Sequence, residues 1–171
     1  MQDHFIGIDL GGTKVLTGVF DQKGHCMAKA KMKTRREQGF EAVTARMVKS
    51  AKDAMEQSGI AISDIRGIGV GAPGTISVDG SRVAFAPNLQ WKDVPLKAAL
   101  EAELGRPVWL DNDCSVATLG IHRAEFEAKP RDLVAIFIGT GIGAGIIANG
   151  AFLKGAHSNA GELGHMILEP G

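Results

Sequence analysis

Two kinds of group in this sequence suit group-transfer chemistry: carboxylates beside tight turns, and the backbone amides of glycine-rich segments. Asp9 ends an apolar run that begins at Phe5, and Leu10-Gly11-Gly12-Thr13-Lys14 follows it. Paired glycines carry little bulk and tolerate φ > 0, so neighbouring N–H groups can converge on an oxyanion. At the mouth of such a turn Asp9 could hold a cation or water, and Thr13 and Lys14 could donate to phosphate. Gly139-Thr140-Gly141-Ile142-Gly143-Ala144-Gly145 is a second glycine turn of the same kind. Asp113, preceded by Asn112, lies between a short apolar run and a helical pattern. Asn and Asp there suit an ordinary helix N-cap. One of the pair can cap while the other faces a ligand, because open α/β sheets bind ligands at their carboxyl ends. Phosphoryl transfer to an alcohol needs a base near the attacking hydroxyl and groups that neutralise the moving phosphoryl. Asp113 is the candidate base. Glu162 and His165, bracketed by Gly161 and Gly164, stand three apart and share a face if helical; a solvated turn is the alternative. The other histidines, His4, His25, His122 and His157, show no partner spacing.

Two familiar phosphate loops fit poorly. Gly7 to Gly12 has the gap of a Walker loop, but Thr13-Lys14 reverse the required order and a strand-like run follows instead of a helix. A dinucleotide fingerprint also needs a helix after its glycines. Strand, tight turn, strand is the pattern that remains, and a plain Gly-Gly hairpin has it too.

The chain has 171 residues, 44% hydrophobic and 22% charged, enough for a buried core. Lys+Arg and Asp+Glu both number 19, so nothing in the balance favours nucleic acid or a membrane surface. Two cysteines offer no disulfide framework and suit a reducing, cytoplasmic setting. The polar N-terminus carries no signal-peptide pattern, and no apolar run approaches membrane-spanning length. The chain stops at Gly171 with no closing element, which reads as a truncation.

The elements that must position these groups follow in order. After the first hairpin, His25 to Thr34 alternates as a third strand. Phe40, Val43, Met47, Ala51 and Met55 recur at helical spacing, with Ser58-Gly59 as the stop. Ile65 to Val70 is a buried strand ending in the small-residue turn Ala72-Pro73-Gly74-Thr75. A hairpin through Asp79-Gly80 and a loop over Ala86 to Trp91 precede a helix through Leu96, Leu100 and Leu104, closed by Gly105. The segment Val108 to Leu110 is a strand, and the helix after Asp113 is expected to turn Val116, Leu119 and Phe126 inward. Leu133 to Ile138 is a strand, and Asn149-Gly150 after Ile146 to Ala148 signals a hairpin turn. Strand, glycine turn with threonine, strand thus occurs twice. Two tandem half-domains, residues 1–122 and 123–171, would each supply one such turn.

Six motifs in order resemble the ROK sugar kinases, whose name covers repressors, open reading frames and kinases. They are Asp9 to Lys14, Gly71-Ala72-Pro73-Gly74, Ala86-Pro87-Asn88-Leu89 with Trp91, Asn112-Asp113, Gly139 to Gly145, and Ala160 to His165. The resemblance implies an α/β, actin-like ATPase, ribonuclease H-like fold, with the complete first lobe and the start of the second. It implies ATP-dependent phosphorylation of a hexose, glucose favoured, with Asp113 as general base. Gly74, Asn88, Asn112, Glu162 and His165 would bind the sugar. Gly11, Gly12, Thr13 and Lys14, with Thr140 and Gly141, would cradle the ATP phosphates, and Asp9 would orient Mg2+. Family members also hold a zinc ion through the histidine matching His165 and three later cysteines; those thiolates are absent here, so no structural zinc is expected in this chain. The resemblance further implies dimers through the second lobe, and weak or no turnover from residues 1–171 alone. With five residues before Ile6, no DNA-binding segment is expected. A sugar-binding regulatory module and a sugar-free, chaperone-type ATPase are the other readings.

Overall fold

The computed structural model describes residues 3–139 and 141–167. Two compact units divide the chain, Met1–Asp113 and Cys114–Gly171. The division falls at the start of the helix in which the sequence placed it near the end.

The first unit is built on one mixed sheet. Strands β1 (His4–Leu10), β2 (Lys14–Asp21) and β3 (Cys26–Lys33) form an antiparallel meander. Strand β4 (Ile65–Ala72) lies parallel to β1, and β8 (Val108–Asn112) lies parallel to β4, giving the order β3-β2-β1-β4-β8. Alternation along β1 explains the burial. His4, Ile6, Ile8 and Leu10 are buried, whereas Phe5 and Asp9 are exposed. Helix α1 (Gly39–Ser58) covers the buried face with Val43, Met47, Ala51 and Ala54, and the left-handed Gly59 ends it. Helix α2 (Leu96–Leu104) adds Leu96, Leu100 and Leu104 to the same core and ends on left-handed Gly105.

A second, three-stranded sheet pairs β5 (Thr75–Ile76), β6 (Val83–Ala86) and β7 (Trp91–Val94) in sequence order. The loop expected over Ala86 to Trp91 ends at the first residue of β7. Trp91 opens the strand and is buried, meeting Phe40 edge-to-face with ring centroids 5.2 Å apart. The turn between β5 and β6 is organised by Asp79, which accepts hydrogen bonds from the Ser77 and Ser81 hydroxyls. Those bonds pull its carboxyl down to about 2. His25 does have a partner: its Nδ1 lies 3.0 Å from the Asp21 carboxylate across the β2–β3 turn.

The second unit contains α3 (Asp113–Ala124) and the sheet β11-β10-β9, formed by β9 (Leu133–Ile138), β10 (Ile142–Ala148) and β11 (Ala151–Phe152). Ala148 pairs with Ala151, so Asn149-Gly150 is a two-residue turn, with both φ angles positive at 53° and 79°. The inward face expected for the helix is corrected here. Val116, Leu119 and Phe126 are 38%, 42% and 44% exposed, and the buried residues of α3 are Ser115 and Thr118. Glycines on β10 explain the choice. A Cβ on Gly145 would stand 2.2 Å from Thr118 Oγ1, and one on Gly143 would stand 2.6 Å from Cys114 Sγ. The helix lies so close to the strand that only short side chains fit between them.

Candidate active site

The first glycine turn joins β1 to β2. Its closure is local: the Gly11 amide donates to the Lys14 carbonyl at 2.9 Å. Gly11 and Gly12 are half-buried, while Thr13 and Lys14 are exposed. No helix follows, so the amides point from a hairpin rather than from a helix terminus. Asp9, on the last turn-facing position of β1, has an exposed side chain, yet the crowded sheet end still desolvates it. That desolvation raises its carboxyl above the ordinary 3.8, Asp113 raises it further, and Lys14 partly opposes both.

Asp113 is the first residue of α3 and is half-buried at the carboxyl end of β8. Its neighbour Asn112 does a different job. The Asn112 side-chain amide donates to the Gly74 carbonyl at 3.0 Å, tying the end of β8 to the turn after β4. Gly74 has φ 88°, and a Cβ there would lie 2.2 Å from the Phe85 carbonyl oxygen, so only glycine fits. Of the sugar contacts expected, the Gly74 carbonyl and the Asn112 amide thus meet each other.

Asn88 sits in a short 3-10 turn, Pro87–Leu89, with Leu89 and Trp91 buried just after it. These two apolar side chains pin the loop and leave Asn88 exposed. A Cβ on Gly12 would be 3.9 Å from the Asn88 Cβ, so this loop borders the first glycine turn directly. The first unit therefore brings together Asp9, the Gly11-Gly12 turn, Asn88 and the Asn112-Asp113 pair.

In the second unit, Gly139 and Gly141 flank the turn between β9 and β10, with the Gly139 amide donating to the Gly141 carbonyl at 2.9 Å. Thr140, expected to contact phosphate, lies outside the described residues. Glu162 precedes a 3-10 turn, Leu163–His165, and His165 Nε2 lies 3.8 Å from the Glu162 carboxylate. Both side chains are exposed. The flanking glycines are dictated by packing: a Cβ on Gly161 would meet the Ala144 carbonyl oxygen at 2.2 Å, and one on Gly164 the Ile142 carbonyl oxygen at 2.4 Å. This turn therefore lies directly on the backbone of β10.

The donor sets differ in what they fit. The carboxylates of Asp9 and Asp113 are hard oxygen donors, and Asp113 raises the Asp9 carboxyl, a setting that a hydrated divalent cation relieves. A single imidazole beside one carboxylate falls short of the four ligands of a structural zinc. Among the described residues no group of three or more His, Cys, Asp or Glu could hold a metal, and no helix is long and apolar enough to cross a membrane.

Comparison with known proteins decides the family. The ROK family model matches residues 5–171. The chain belongs to the ROK family. A ROK family glucokinase from Streptomyces griseus, solved with glucose and AMPPNP, superposes with a TM-score of 0.88 at 33% identity, over 98% of this chain and 51% of that one. A glucokinase of Halalkalibacterium halodurans is 34% identical over 166 residues, 97% of this chain and 50% of its own length. A putative xylose repressor of a Caldicellulosiruptor species is 32% identical over 164 residues, 96% of this chain and 41% of its own length. This ROK chain therefore spans about half the length of the curated relatives it matches. Its fold is the α/β, actin-like ATPase and ribonuclease H-like fold of ROK sugar kinases.

Sequence reasoning missed Thr34 and Arg36. Both reach the site region through contacts distant in sequence, and neither lies in a motif. A buried threonine at the end of a strand carries no spacing signal of its own.

Proposed function

We propose that the whole protein transfers the γ-phosphoryl group of ATP to a hydroxyl of a hexose, glucose favoured. The observation that carries this reading is that Asp9 and Asp113 stand at the same, carboxyl end of the parallel strands β1 and β8, with Asp113 raising the Asp9 carboxyl, beside a glycine turn that borders the Asn88 loop. The relative solved with glucose and AMPPNP supports it. In this reading Asp113 accepts the proton of the attacking hydroxyl. The new O–P bond forms as the bond from the γ-phosphorus to the bridging oxygen breaks, and ADP leaves with that electron pair. Gly11, Gly12, Thr13 and Lys14, with Thr140 and Gly141, hold the phosphates. Asp9 orients Mg2+, which neutralises phosphate charge when bound. Gly74, Asn88, Asn112, Glu162 and His165 hold the sugar. In this reading residues 1–122 are the first lobe and 123–171 the beginning of the second, and the protein works in the cytoplasm as a dimer without nucleic acid or membrane.

Asp113→Asn in the full-length protein tests the base. Turnover of glucose is expected to fall by at least about a hundredfold while glucose affinity by calorimetry survives. Near-normal turnover would refute the assignment. The xylose-repressor relative favours a second reading, a sugar sensor that transfers no phosphate. Wild-type protein that binds glucose but never turns it over would select that reading.

A further inference from the structure

The segment that follows β3 touches two parts of the candidate site at once. Thr34 is fully buried, although it follows a largely exposed edge strand. Its hydroxyl donates to the Gly11 carbonyl at 2.7 Å, and its amide donates to the Thr13 carbonyl at 3.0 Å. Two carbonyls of the glycine turn are thereby held from behind. The Gly11 amide closes the turn from within, on the Lys14 carbonyl. Arg35 then takes the left-handed conformation, φ 53° and ψ 53°, which is uncommon for a residue with a side chain. That reversal sends the next side chain the other way. Arg36 Nη1 donates to the Asn88 carbonyl at 2.7 Å.

We infer that Thr34–Arg36 is a positioning strap that sets the phosphate-binding turn against the Asn88 loop. This rests on the phosphoryl-transfer reading for what the two loops bind. Thr34 fixes the turn that holds ATP; Arg36 fixes the loop that holds the hexose. Neither side chain touches a reacting atom. Bolting both loops to three consecutive residues keeps the donor and acceptor ends of the reaction at one spacing, which is the kind of geometry on which rate depends steeply.

Full-length protein carrying Thr34→Val, Thr34→Ser, Arg36→Ala or Arg36→Lys tests the strap with two readouts. Amide hydrogen exchange without ligand comes first. Thr34→Val is expected to speed exchange at residues 11–14 by on the order of fivefold, the equivalent of one hydrogen bond, and Thr34→Ser to restore protection. Arg36→Ala is expected to do the same at residues 87–90, with partial rescue by lysine. Steady-state kinetics follow. Thr34→Val should raise KM for ATP by about fivefold with KM for hexose unchanged, and Arg36→Ala should do the reverse. Exchange that rises evenly across β1 to β4, or is unchanged at both loops, overturns the strap and makes Thr34 an ordinary buried threonine. If wild-type protein phosphorylates no hexose, the proposed function falls, and the exchange data still decide whether the strap exists.

Discussion

The two units solve the same problem, holding a glycine turn at the end of paired strands, by different physical means. The first uses hydrophobic burial. Its sheet lies under α1 and α2, and Ile6, Leu10, Met47, Ile68 and Leu100 are almost entirely hidden from water. The second buries little. Among its described hydrophobic residues Ala144 and Ile147 are buried, whereas Val134, Ile136 and Ile138 on β9 are 55%, 57% and 83% exposed. Its order comes from close backbone approach: α3 against Gly143 and Gly145, and the Glu162 turn against the carbonyls of β10. One unit is specified by volume filled, the other by volume withheld.

The largest expected effect separates the two directly. Leu100→Ala empties part of the first core and should cost about 2–5 kcal/mol. Ile136→Thr on the exposed strand of the second unit should stay within about 0.5 kcal/mol. Denaturant melts of both variants in this 171-residue chain check the contrast, and equal losses would erase it. Next in size is Gly161→Ala. Its φ of 90° and the Ala144 carbonyl 2.2 Å from the new Cβ leave no room. A loss of about 1–3 kcal/mol is expected. Hydrogen exchange should show the loss at residues 142–167 and spare β1 to β4.

The smallest effect concerns the site rather than the scaffold. Asp9 holds its proton more tightly in the folded protein than in the unfolded chain, because desolvation and Asp113 raise its carboxyl above 3.8. Stability from this group is therefore full below about pH 3.8 and is lost as pH rises through the raised value. Asp9→Asn should raise the melting temperature slightly near pH 7 and leave it unchanged near pH 3. Thermal melts across that range check the sign; a destabilised variant at neutral pH would contradict it.

Local patterns were the readable part of this sequence. The β1–β2 hairpin, the spans and glycine stops of α1 and α2, and the Asn149-Gly150 turn each follow from neighbours within a few residues. The face of α3 did not follow, because its periodicity marks Val116 and Leu119 while the bare glycines of β10 lie against Cys114 and Thr118. Strand β7 was hidden behind Pro87 and Asn88, which read as loop; its antiparallel pairing with β6 and the packing of Trp91 on Phe40 are contacts that a turn signal does not carry. The influence of Asp113 on Asp9 needed the parallel order β1-β4-β8, which sets the carboxyl ends of β1 and β8 at one edge of the sheet. Thr34 and Arg36 contact residues 23 and 52 positions away in the chain, a reach that no spacing rule carries.

The chain has two tryptophans, and their surroundings are opposite. Trp91 is 4% exposed, packed on Phe40 three residues after Asn88, whereas Trp109 is 63% exposed. An aqueous quencher such as iodide therefore silences one indole and spares the other. The light that survives comes from the base of the Asn88 loop, so the protein carries its own lamp beside the place where a hexose would settle.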